Sequence, residues 1–328
     1  MSQLNSILNL ITADLDGVNQ LIEESVTSKV PLVNEIGKHI INCGGKRIRP
    51  LVSLLTARAC ADNNEYNPLS ITLATAIEFI HTATLLHDDV IDHATMRRGL
   101  ISANDKWGNA PAVLVGDFLY SRAFQLLVKV GKLDIMDIIA DATNTIAEGE
   151  VLQLAQQGNI NITESEYFEI IYCKTAKLFE ASAHIAANIS GVNKDLETTI
   201  AQFGKNLGIA FQLIDDALDY SATDIELGKN SSHDFIEGKI TLPVIRTLAL
   251  ASADEKIYIA DTLQNKNIST EELQKISTII NQYDGITYTQ TLANTYTLKA
   301  KQDIAELNNN PYSQALQQLC DFVVQRNY

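Results

Sequence analysis

Apolar and small residues recur every three or four positions along most of the chain, as at Leu69, Leu73, Ile77, Ile80 and Thr84, and again at Ala293, Tyr296, Ala300, Ile304 and Leu307. That spacing lines one face of a helix. The alternation that marks a half-buried strand is nearly absent. The run ITYTQTLANTYT, starting at Ile286, is rich in β-branched and aromatic residues, but its wider spacing into Ile304 and Leu307 predicts helix. Turn chemistry clusters at 43–50, 61–68, 96–105, 158–161 and 221–239, and none of these stretches is a long low-complexity linker. The pattern predicts an all-α fold of roughly a dozen helices, in a single domain over residues 1–328.

With 46% apolar residues, six prolines and sixteen glycines, the chain can bury a large core and has few obligatory breaks. Its net charge of −15 argues against a nucleic-acid binder, which needs clustered cations to displace counterions. The four cysteines, Cys43, Cys60, Cys173 and Cys320, show no metal or CxxC spacing and read as reduced thiols of a cytoplasmic protein. The N-terminal MSQLNSILNLITADLDG is interrupted by Asp14 and Asp16 before a leader pattern develops, and reads as an amphipathic helix. No uninterrupted apolar run of about eighteen residues suggests a membrane span.

One pattern occurs twice, DDVID at 88–92 and DDALD at 215–219. Each ends an apolar helical stripe. On a helix, Asp88 with Asp92, and Asp215 with Asp219, share an edge about 5.4 Å apart, while Asp89 and Asp216 point aside. Such pairs repel unless a cation compensates them, and hard carboxylate oxygens favour Mg²⁺, Ca²⁺ or Mn²⁺ over zinc. Mg²⁺ completes its shell with water and substrate phosphates, so the pattern suits a diphosphate. A solvated acidic face is the plain alternative for one copy; two copies on apolar stripes speak against it.

Basic residues stand ready to answer a diphosphate. GGKRIRP places Lys46, Arg47 and Arg49 at a glycine turn before a helix starting near Pro50, where side chains and backbone N–H groups can meet an anion. Arg97 and Arg98 are adjacent, and neighbouring side chains diverge, so they can serve two different phosphate groups. Lys174 beside Thr175 offers a charge and a hydroxyl, and His81 lies on the stripe of Asp88. His87 and His93 fall off the Asp88–Asp92 edge. No Walker loop, dinucleotide fingerprint or nucleophile triad is present.

GGKRIRP, EFIHTATLLHDDVID, MRRG, VLVGDFLYSRAFQLL, EGEVLQL, KTAKLFEA, FQLIDDALDY, GKN and EGKITLP together resemble the trans-isoprenyl diphosphate synthases, most closely their bacterial long-chain members, in order and almost end to end. The resemblance implies an isoprenoid-synthase-type helical bundle around a central cavity, a homodimer, and two aspartate motifs facing each other. It implies about three Mg²⁺ ions, with Mn²⁺ able to substitute. Asp88, Asp92 and Asp215 would be ligands, with Asp89, Asp216 and Asp219 in support. Arg97, Lys174, Thr175, Gln212, Lys229 and Lys239 would hold the allylic diphosphate, and Lys46, Arg49, His81 and Arg98 the isopentenyl diphosphate. Thr175 and Gln212 would also steady an allylic carbocation.

Small residues at Ala83 and Thr84, where aromatics shorten the product in this family, imply a long product of about forty carbons, a quinone side chain, with Phe124, Leu127 or Val128 as floor. A transient membrane-surface contact would release so greasy a product. The chain departs from the family's pattern near Ser232 and His233, where a glycine and an acid are common, and at Ile240, commonly proline. A terpene cyclase would carry a second motif mixing Asn, Ser or Thr with Glu, unlike DDALD, and a non-catalytic subunit would have lost its acids.

Overall fold

The computed structural model describes residues 3–61, 66–220, 232–265 and 267–326. The all-α expectation holds. The helices are α1 (Gln3–Leu10), α2 (Thr12–Val26), α3 (Pro31–Asn42), α4 (Ile48–Cys60), α5 (Leu69–Ile91), α6 (Ala103–Trp107), α7 (Asn109–Val130), α8 (Leu133–Ala155), α9 (Glu164–Ile171), α10 (Lys177–Ser190) and α11 (Lys194–Asp219). Helices His233–Ile236, Leu242–Leu250, Ala253–Leu263, Thr270–Gln282, Gly285–Asp303 and Pro311–Gln325 follow. Between α5 and α6 lies a small antiparallel hairpin, β1 (Met96–Arg97) and β2 (Leu100–Ile101), pairing Met96 with Ile101 and Arg97 with Leu100. Strands of two residues are too short for periodicity to show.

Local chemistry explains the helix ends. Thr163, Ser252 and Ser269 each form a reciprocal capping box with the glutamate three residues on, satisfying donors that the first turn leaves over. The helix α4 begins at Ile48, two residues before the expected Pro50, so the proline sits within its first turn, where a missing N–H costs nothing. The ITYTQTLANTYT segment is helical from Gly285. Its threonines fit because Thr289 and Thr297 donate their hydroxyls back to the carbonyls of Gly285 and Ala293, 2.8 and 3.0 Å away. That helix stops at Asp303, so Ile304 and Leu307, expected on its stripe, are buried beyond its end. The amphipathic N-terminal helix divides at buried Ile11 into α1 and α2.

The chain divides into two compact units, Met1–Thr143 with Leu178–Ala201 and Glu306–Gln318, and Asn144–Lys177 with Gln202–Ala305 and Leu319–Tyr328. In the first, α5 packs against α4, α7 and α2; Leu54, Leu55, Ile77, Ile80, Leu119 and Leu127 are fully buried. α5 is long and apolar enough to cross a membrane by length and composition, but 61% of its most apolar stretch is buried inside the protein, which marks it as a core helix. In the second unit, a core of Tyr167, Ile171, Leu213, Tyr220, Phe235 and Leu242 lies behind the end of α11.

An ion pair braces the first unit. Asp14, 4% exposed, accepts from Arg58 Nε and Nη2 at 2.9 and 2.8 Å, and the guanidinium lies 3.5 Å over the Tyr66 ring. Removing one partner strands a buried charge. Arg58→Ala is expected to destabilise the protein by about 3 kcal/mol, read as a lower urea midpoint at unchanged m-value.

Candidate active site

In the first unit the C-terminal end of α5 is built by charge pairing. Asp88 and Asp92 are half-buried one turn apart, and the Asp92 N–H closes the helix on the Asp88 carbonyl at 2.8 Å. Asp89 points inward, is fully buried, and accepts from Arg97 Nε at 2.7 Å and also from Nη2. Its Oδ2 is buried with no partner.

Arg97 lies in β1, and the hairpin turn that follows is left-handed at both central residues, Arg98 (φ 50°) and Gly99 (φ 81°). This is the twist two-residue hairpins favour, though a non-glycine residue seldom adopts it. The turn sends Arg98 away from Arg97: its guanidinium lies so close to Gly45 that a Cβ there would overlap it. Arg98 lines a pocket with Gly44, Arg47, Glu78, His81 and Thr82. Arg47 is also left-handed, φ 47°. The divergence expected of the two arginines is therefore present.

Arg49 Nη1 donates to His81 Nε2 at 3.2 Å and lies 4.6 Å over the Phe179 ring. Burial, then the charges of Arg49, Arg98 and Arg97, push His81 well below its usual range. A neutral His81 that accepts from Arg49 at Nε2 steadies that arginine. Burial also raises Glu78, against the lowering by Arg47, Arg49 and Arg98. Lys46 is exposed at the turn.

The expected length-setting residues fare unevenly. Ala83 and Leu127 are fully buried, Thr84 is half-buried with its hydroxyl on the His81 carbonyl, and Phe124 is half-buried with its ring 5.9 Å from Tyr120. Val128 is 65% exposed and cannot floor a tunnel within its own unit, because it follows Leu127 around the helix onto the outer face.

In the second unit, Tyr172–Ala176 forms a π-helical turn, an irregularity frequent at functional sites. It carries Lys174 and Thr175. Gly149 of α8 packs on it so closely that a Cβ would stand 2.6 Å from Cys173 Cβ and 3.0 Å from the Lys174 nitrogen. Lys174 Nζ reaches Glu150 Oε2 and Gln153 Oε1, both at 2.8 Å. Thr175 donates its hydroxyl to Gln212 Oε1 at 2.8 Å, and Gln212 donates its amide to Asp216 Oδ1 at 2.6 Å.

The three acids of DDALD take different partners. Asp215 pairs with Arg326 at 2.7 Å. Asp216 is buried and accepts from the Tyr167 hydroxyl at 2.5 Å; burial raises it to about 7, against those hydrogen bonds. Asp219 accepts from the backbone N–H groups of His233 and Asp234 at 3.0 and 3.1 Å, a capping role. Lys239 Nζ lies 2.7 Å from Glu237 Oε2, and His233 Nδ1 lies 3.0 Å from Glu237 Oε1. Lys229 lies outside the described residues. Glu78, Glu150, Gln153, Tyr167 and Arg326 had no assigned role in the sequence. EGEVLQL flagged two of them as motif residues, while nothing local flags the pairing of Arg326 with α11.

Among the described residues no three His, Cys, Asp or Glu side chains converge as a ready metal cage. The donor chemistry nevertheless fits Mg²⁺, which needs only one or two carboxylates beside water and phosphate oxygens: Asp88 and Asp92 share one edge, and buried Asp89 Oδ2 has no other partner.

The chain belongs to the polyprenyl synthetase family, whose sequence pattern matches residues 30–280. It is 42% identical over 328 residues, all of this chain and 98% of the other, to an octaprenyl diphosphate synthase of Haemophilus influenzae. It is 41% identical over 324 residues, 99% of each chain, to that of Escherichia coli. A polyprenyl synthase of Caulobacter crescentus, solved with calcium and isoprenyl diphosphate, superposes at a TM-score of 0.93 with 40% identity, covering 98% of each chain.

Glu237 supplies a pH test. Burial raises it, but hydrogen bonds from His233 and Lys239 outweigh that and bring it from 4.5 to about 2. A depressed carboxyl contributes stability that is full above its unfolded value and lost as pH falls through the folded one. Wild type should exceed Glu237→Gln by about 1–2 kcal/mol near neutral pH, after allowing for screening. In urea titrations the gap should close towards about pH 2.

Proposed function

We propose that the chain is a prenyltransferase that adds isopentenyl diphosphate head-to-tail to an allylic diphosphate, with farnesyl diphosphate as primer, to give an all-trans polyprenyl diphosphate of about forty carbons for a quinone side chain. The observation that carries this reading is the hairpin after α5. Arg97 turns to the aspartate motif and Arg98 to a separate basic pocket with Arg47, His81 and Glu78, so neighbouring residues can serve two diphosphates. Full-length similarity to two octaprenyl diphosphate synthases supports the product class.

Asp88, Asp92 and Asp215 would hold the Mg²⁺ ions, with Asp89, Asp216 and Asp219 in support, and Mn²⁺ as a substitute. When bound, the ions supply charge neutralisation for a departing diphosphate. Arg97, Lys174 and Lys239 would add positive charge around it, and Lys229, outside the described residues, is assigned to the same group from the sequence. Glu150 and Gln153 hold Lys174 before any substrate arrives. Because the Thr175 proton is committed to Gln212, the hydroxyl offers lone pairs to a developing allylic carbocation. A neutral hydroxyl is a weak nucleophile, so the cation survives until the isopentenyl double bond attacks. Lys46, Arg49 and Arg98 would bind isopentenyl diphosphate, with His81 fixing Arg49. The released diphosphate would serve as the base.

Residues 1–328 would work as one catalytic domain, as a cytoplasmic homodimer touching a membrane surface transiently to release product. The outer face of α7 bears Leu114 and Val128, 66% and 65% exposed, apolar surface that a second copy would cover. A terpene cyclase or a non-catalytic subunit is disfavoured by the two intact acid motifs and the basic set.

Incubation with Mg²⁺, farnesyl diphosphate and labelled isopentenyl diphosphate should give a ladder ending near about eight isoprene units; cyclised hydrocarbon or no turnover would overturn the reading. Asp88→Ala should lower elongation by about 10³-fold with the helical circular dichroism unchanged. Ala83→Phe should shorten the ladder, and an unchanged ladder would remove Ala83 from the product path.

A further inference from the structure

Arg326 follows the helix Pro311–Gln325, near the end of the chain. Its side chain is 3% exposed, whereas that of Asp215 is 33% exposed. Nη2 donates to Asp215 Oδ1 at 2.7 Å and to the Phe211 carbonyl at 2.6 Å, and the guanidinium stacks 3.8 Å from the centre of the Phe211 ring. Phe211 and Asp215 are one turn apart on α11, so one helix face grips the arginine by charge, hydrogen bond and ring together. An exposed salt bridge is worth little. This one is desolvated on the arginine side, and its acid, Asp215, shares about one turn of α11 with Asp216 and Asp219.

We infer that Arg326 is a positioning residue for the second aspartate motif, a built-in counter-charge that orients Asp215 and lowers its affinity for a divalent cation. The inference rests on the assignment of Asp215 as a metal ligand. A carboxylate already facing a guanidinium attracts Mg²⁺ less strongly. Cation binding at Asp215 would then depend on a bound substrate diphosphate.

The test is Mn²⁺ binding with no substrate present, measured from the free-ion EPR signal. Arg326→Gln should bind Mn²⁺ about tenfold more tightly than wild type, and Arg326→Lys, which keeps the charge, within about twofold of it. Asp215→Asn should weaken binding in both the wild-type and the Arg326→Gln chain. A purely structural Arg326 would leave affinity unchanged or reduce it when replaced, and either result overturns the inference whatever happens to turnover. If Asp215→Asn leaves Mn²⁺ affinity untouched, Asp215 is not a ligand, and the metal assignment falls together with this inference. Arg326→Met keeps the packing on Phe211 and carries the same expectation should the glutamine chain fail to fold.

Discussion

Asp89 is the last inward-facing residue of α5 before the helix ends, and its fully buried carboxylate is held by Arg97. A carboxylate out of water is costly unless a cation and hydrogen bonds replace its hydration. That requirement ties the hairpin to the helix end. With Arg97 pinned inward, the left-handed turn at Arg98 and Gly99 sets the second arginine against Gly45. The basic pocket is thereby assembled from three distant stretches: the glycine turn before α4, the middle of α5 and the hairpin.

The second unit follows the same logic with different parts. Buried Asp216 receives Tyr167 and Gln212, and Gln212 in turn receives Thr175. Lys174 is braced by Glu150 and Gln153, and the π-helical turn sets it beside Thr175 against Gly149. Each group is held by the protein before any ligand arrives, so less side-chain freedom remains to be lost on binding. Preorganisation of this kind is what a site needs when it must meet charge that develops quickly.

The doubled motif, the basic turn and the adjacent arginines were legible because helical periodicity converts spacing into shared faces, and because charge on an apolar stripe demands compensation. Non-local partners were not legible. Nothing in the spelling of VVQRNY points to α11, and Glu150 meets Lys174 only because the chain folds back across 24 residues. The place of His81 on the stripe does not reveal that Arg49 occupies its Nε2. Val128 adjoins Leu127 in sequence, yet successive helical residues diverge by about 100°, and one step past buried Leu127 reaches the surface. The threonine-rich helix succeeded because its periodicity outweighed propensity, with hydroxyls returned to the preceding turn.

The two motifs share a spelling but not a wiring. In DDVID the inner acid is consumed by Arg97, leaving Asp88 and Asp92 as a half-buried edge. In DDALD the inner acid goes to Tyr167, the first to Arg326, and the third caps the segment that follows. That last role explains how a departure from the family pattern is tolerated. Ser232 stands at φ 63°, a conformation natural to glycine, which costs a serine about 1 kcal/mol. Its N–H bonds to the Asp219 carbonyl at 2.7 Å, and the Asp219 side chain caps His233 and Asp234. These bonds offset the strain and keep Glu237 and Lys239 in register. Asp219 is thus tied to the backbone of the segment that follows by both its carbonyl and its side chain.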